Sequence, residues 1–153
     1  MQAETRIIWL KIASGAVIAF GPIFLLSTIL PLSTPLAFLT DLVFWPIDGG
    51  EGLAASSTRL YLAISGGVLT GWGILLWMIT TQLYPREPKL ARTLILTSVG
   101  VWFIVDSLGS IIAGAPVNVL LNLVFLDLFL IPLLWPAPSA TEAKTEPGLE
   151  AGS

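Results

Sequence analysis

Asp106 and Asp127 each fall inside a run of residues apolar enough to enter hydrocarbon. An aspartate at the centre of a membrane helix costs about 2.5–3.5 kcal/mol on insertion scales, so each one calls for a function or a specific partner. Two carboxyls that shared a site could work as an acid–base pair, or as a relay for protons or a small solute. Carboxyls that lie apart must each find hydrogen bonds on a neighbouring helix or subunit. Asn118 and Asn122, four residues apart, form a second polar pair on one helical face. At about 100° per residue, that face lies about 140–180° around from Asp127. One neighbouring helix cannot receive all three side chains, so two neighbours or a partner subunit are needed. Asp106 shares its face with Gly109, Ser110 and Ala113, small residues that suit close contact with another helix. An inward Asp106 is expected.

Other chemistries are removed by residue type. The 153-residue chain has no Cys and no His. Disulfides, thiolate nucleophiles, Cys/His zinc sites and His-ligated haem are therefore excluded. The usual side chain for proton transfer near neutral pH is missing too. No cofactor, metal or catalytic residue is expected, and the chain reads as a non-enzyme. The net charge of −3 and the lack of a basic stripe exclude a nucleic-acid partner.

Of the residues, 55% are hydrophobic and only 11% are charged, and the mean hydropathy is +0.88. A soluble domain carries about 25% charged residues, and this chain has too few to cover a surface in water. The lipid bilayer is the expected solvent. Four segments approach the length of about 20 residues that a span requires: about 7–30, 60–83, 94–113 and 117–134. Strand periodicity is absent, so the fold class is all-α. It is a polytopic membrane protein of four transmembrane helices in two antiparallel hairpins. The first segment is too long for a signal core and lacks an Ala-x-Ala site, which reads as an uncleaved anchor. The tight turn Gly114-Ala115-Pro116 places Asp106 about 13 Å and Asp127 about 16 Å below it, at similar heights. Residues 1–135 form the membrane domain. The Pro-rich, polar stretch 136–153 reads as a disordered tail.

Arg6, Lys11, Arg86, Lys89, Arg92 and Lys144 collect on one side of this topology, against Arg59 alone on the other. The positive-inside rule then puts both termini and the YPREPK connection in the cytoplasm, as expected for a multi-pass protein of the inner (plasma) membrane. The first outer connection contains LAFLTDLVFWPIDGGEG, Leu36–Gly52. Its apolar part is too short to cross, and Pro35 and Pro46 bound it. Residues 36–45 read as an interfacial helix, with a re-entrant segment as the alternative. Arg59 opens the second span where the helix dipole disfavours a cation, so it is expected to pair with an outer-loop acid, Asp48. Ala63, Gly67 and Gly71 stack on one face of that span and read as a packing face, within the chain or toward a homo-oligomer or membrane-protein partner. Gly21-Pro22 is expected to kink the first helix.

The runs WPIDG, Trp45–Gly49, and RLYLAISGGVLTGWGILLW, Arg59–Trp77, resemble small four-helix bacterial inner-membrane proteins of uncharacterised function. The resemblance implies a helical fold and a bacterial plasma-membrane location, with no activity or site residues. The combined expectation is an accessory or scaffold subunit acting through helix–helix association. The alternative is a small proton or solute transporter using the intramembrane aspartates.

Overall fold

A computed structural model describes residues 2–50 and 52–136. The expected tail beyond Pro136, and Glu51, lie outside the described residues. The described chain is all-helical: α1 (Ala3–Leu26), α2 (Thr34–Phe44), α3 (Ser56–Met78), α4 (Pro88–Ile112) and α5 (Val117–Leu134). A 3-10 turn (Leu30–Leu32) precedes α2, and a π turn (Ile79–Leu83) extends α3. Four of these helices are long and apolar enough to cross a membrane. The 11-residue α2, about 16 Å long, is not. Within the most apolar window of each span only 17–28% of residues are buried inside the protein. The outward remainder is itself apolar, with Ile12, Val105 and Ile112 all mostly exposed. Such a surface is stable in hydrocarbon and not in water. The chain is a multi-pass membrane protein.

The helix ends differ from the hydropathy bounds for local reasons. α1 begins at Ala3 because polar residues do not interrupt a helix. It stops at Leu26, short of the expected Leu30. There the Thr28 N–H and hydroxyl both donate to the Leu25 carbonyl, at 3.1 and 2.7 Å, taking an acceptor that further helix would have given to the Ile29 N–H. α4 starts at Pro88, six residues ahead of its apolar run, since proline suits the first helical position.

α1 and α3 pack along their length in opposite directions, Gly21 lying against Gly66 and Ile18 against Gly73. A Cβ on Gly21 would sit 2.7 Å from the Gly66 carbonyl oxygen, and one on Gly73 would sit 2.8 Å from the Ile18 backbone nitrogen. These glycines are required because backbone meets backbone. This seam corrects the within-chain reading of the Ala63, Gly67 and Gly71 face. Gly67 and Gly71 have nothing within 4 Å of a built Cβ and face outward. Both stripes have helical spacing, and only the three-dimensional partner tells which one is used.

The core is formed by Leu10, Ala13 and Val17 of α1, Leu76 of α3, Ala91, Ile95 and Val99 of α4, and Phe129 and Leu133 of α5. An aromatic chain links all four spans. Phe20 meets Phe125 at 5.1 Å between ring centroids, Phe125 meets Trp102 at 6.2 Å, and Trp102 meets Trp72 at 5.7 Å. Trp72 Nε1 also donates to Ser98 Oγ at 2.7 Å, joining α3 to α4. At the opposite end from α2, Arg6 donates to the Trp135 carbonyl at 2.9 Å and to the Tyr84 hydroxyl at 3.3 Å. One guanidinium thus ties the start of α1 to the π turn and to the C-terminus of α5, where the helix dipole favours a cation.

Candidate functional site

The site is built by the reversal between α4 and α5. Gly114 takes φ +81°, a left-handed conformation that glycine adopts without strain. The Gly114 N–H then donates to the Ile111 carbonyl at 3.1 Å, and the Ala115 N–H to the Ser110 carbonyl at 2.8 Å. This paired closure of a helix end turns the chain back on itself. α5 therefore descends along α4, with Asn118 opposite Ser110 and Asn122 opposite Asp106.

Five polar side chains meet along this seam. Asn118 Nδ2 donates to Asp106 Oδ2 at 3.1 Å and to Ser110 Oγ at 2.8 Å. Asn122 Nδ2 donates to the same Asp106 Oδ2 at 2.5 Å and to Ser107 Oγ at 3.3 Å. The Ser110 hydroxyl donates back to the Asp106 carbonyl at 2.7 Å. Asn122 and Ser107 are buried, and Asp106 is half-buried. The expected inward Asp106 and the Asn118/Asn122 face are thus parts of one cluster. Asp127 is not. It is exposed on the far face of α5, where its angular separation from the asparagines puts it, and it makes no hydrogen bond among the described residues. The two carboxyls do not form an acid–base pair.

A cavity of about 460 Å³ opens beside Asp106. Asp106, Gly109 and Ser110 form one wall, with Asn118 of α5 adjoining. α2 forms the other with Leu36, Leu39, Thr40, Val43 and Phe44. The short helix is therefore a wall of the site, with Leu36 and Asp41 buried against the bundle. Its far end is fastened by Asp41, whose two carboxylate oxygens both accept the Gly49 N–H at 3.0 Å. That bond closes the WPIDG turn back onto α2. Its one signal in the sequence is a single acid in an apolar helix, eight residues before the glycine that donates to it.

Arg59 and Asp48 are not brought together. Asp48 Oδ1 accepts the Gly50 N–H at 2.8 Å, a local bond that needs less ordering of the chain than an ion pair across the loop. Arg59 Nε is buried with no hydrogen-bond partner among the described residues. No group of three or more His, Cys, Asp and Glu side chains that could hold a metal ion occurs among the described residues. No protein-family model, curated protein or solved structure matches the chain.

Proposed function

We propose that this chain is a non-enzymatic accessory or scaffold subunit of a bacterial inner membrane, acting by lateral association with a second copy of itself through α3. The carrying observation is the bare pair Gly67 and Gly71, next to Gly66 and Gly73, which α1 already uses. Lipid tails are as apolar as leucine, so helix association in a bilayer depends on close backbone packing and on polar contacts. A face of Ala63, Gly67 and Gly71 offers the first, flanked by the exposed Leu60, Ile64 and Val68. Cytoplasmic termini are supported by the gathering of Arg6, the π turn and the end of α5 at one end of the bundle, close in sequence to Arg86 and Lys89. A proton or solute relay through both aspartates has less support, because only Asp106 belongs to the polar cluster.

The absence of cysteine makes the test direct. Val68→Cys introduces the only thiol, and oxidation in native membranes is expected to give a covalent dimer. Adding Gly67→Ile is expected to abolish it. A thiol at Leu108, exposed on α4, is expected to stay monomeric. Equal crosslinking at both positions, or none at Val68, contradicts association through α3. A reporter fused into the Tyr84–Pro88 connection is expected to be active in the cytoplasm.

A further inference from the structure

Around the cavity, the hydrogen bonds of the α4–α5 cluster leave acceptors unused. Every side-chain donor lining the cavity is engaged. The Thr40 hydroxyl donates to the Leu36 carbonyl at 2.8 Å and the Ser110 hydroxyl to the Asp106 carbonyl. Both hydrogens of the Asn118 amide are used, one on Asp106 Oδ2 and one on Ser110 Oγ. Behind it, both hydrogens of the Asn122 amide are used as well. Among the groups that line the cavity, capacity remains on the accepting side; the one hydroxyl of the cluster that donates to nothing among the described residues, Ser107, lies outside the lining. Asp106 Oδ1 and the Asn118 side-chain oxygen carry no hydrogen bond among the described residues. An amide brings an accepting oxygen along with its two donor hydrogens, and a carboxylate brings acceptors alone, so the excess of acceptors follows from the residue types.

We propose that the cavity binds an amphiphilic primary ammonium, with its N–H donors on Asp106 Oδ1 and the Asn118 oxygen and its alkyl body along Leu36, Leu39, Val43 and Val105. A carboxylate accepting a charged N–H forms one of the stronger hydrogen bonds in a protein, and a low-dielectric setting strengthens it further. The remaining walls, including Phe24 and Phe44, are apolar and suit hydrocarbon. The space, about 460 Å³, is an open cleft, so an alkyl body can lie along it and continue into lipid. The lack of a spare donor in the lining disfavours anions. Two oxygens are too few for a bare metal cation, which takes six or more ligands when bound by oxygen. The ammonium could belong to a soluble alkylamine or to an ethanolamine lipid headgroup, which present the same chemistry.

The probe is dodecylamine, protonated at neutral pH. It is titrated calorimetrically into the full chain in phosphatidylcholine nanodiscs, with dodecanol and dodecyl sulfate as references. The wild type is expected to bind the amine at least tenfold more tightly than either reference. Asp106→Asn keeps an accepting oxygen for Asn118 and Asn122 while placing an N–H₂ at the cavity, and is expected to weaken amine binding at least tenfold. Gly109→Leu fills the cavity from the α4 wall, where a built Cβ meets nothing within 4 Å, and is expected to block binding with Asp106 intact. Asp127→Asn is expected to bind as the wild type does. Weaker amine binding in discs that also contain phosphatidylethanolamine identifies the lipid headgroup as a competitor; unchanged binding identifies a free amine as the ligand class. Dodecanol binding as tightly as the amine, or unaltered amine binding in both Asp106→Asn and Gly109→Leu, overturns the proposal.

Discussion

Between α1 and α3 no side-chain hydrogen bond crosses among the described residues. The backbones approach until Gly21 and Gly66 leave no room for a Cβ. Between α4 and α5 five polar side chains interlock, and a cavity stands beside them. Both seams hold neighbouring helices together in a solvent that supplies no hydrophobic force between them. They do so with different consequences. The glycine seam gains dispersion from contact along its whole length and leaves nothing over for a ligand. The polar seam fixes its register through particular donor–acceptor pairs, and those pairs leave acceptors over. A membrane bundle can therefore keep a rigid half and a receptive half by choosing which kind of seam joins each pair of helices.

The largest predicted effect strikes the glycine seam. Gly66→Leu forces a side chain into the backbone of α1, where a Cβ would already stand 2.7 Å from the Gly21 oxygen. The expected loss is more than about 3 kcal/mol, or failure to fold, measured by unfolding in mixed micelles. Gly67→Leu, one residue away, is expected to leave monomer stability unchanged. If the two variants behave alike, the assignment of the packing face is wrong. Next is Asp106→Ala, which strips the acceptor from two amides and is expected to cost about 1–3 kcal/mol. Asp41→Ala removes the acceptor of the Gly49 N–H. It is expected to cost about 1–2 kcal/mol and to expose the Trp45–Ala55 connection to protease, a change seen in digestion before any global unfolding. Asp48→Ala touches only an exposed turn bond and is expected to fall within about 0.5 kcal/mol.

Composition and hydropathy were enough to find four spans, since the shortage of charge and the apolar runs report directly on solvent. Periodicity carried the angular reading of α5 as well. Asn118 and Asn122 lie on one face and Asp127 on another because 100° per residue allows nothing else. Rotation of one helix about its axis relative to the next is a different matter. Whether Gly66 and Gly73 or Gly67 and Gly71 meet α1 depends on the shapes of both surfaces, and both stripes have valid spacing. The Arg59–Asp48 expectation failed for another reason. Asp48 had a backbone N–H two residues away, and a turn bond needs less chain ordering than a bridge across a loop. Arg6 read as a topology signal, while its hydrogen bonds to Trp135 and Tyr84 depend on three chain segments converging, which no local pattern encodes.

The unequal standing of the two aspartates is tested most directly by a double-mutant cycle. Asp106→Ala and Asn122→Ala, singly and together, are unfolded reversibly in mixed micelles, with Asp127→Ala and Asn122→Ala as the reference cycle. Interhelical polar pairs in membranes average about 0.6 kcal/mol and reach about 1.7 kcal/mol. A coupling of about 1 kcal/mol is predicted for Asp106 with Asn122, and none for Asp127 with Asn122. Zero coupling in the first cycle, or equal coupling in both, would contradict it.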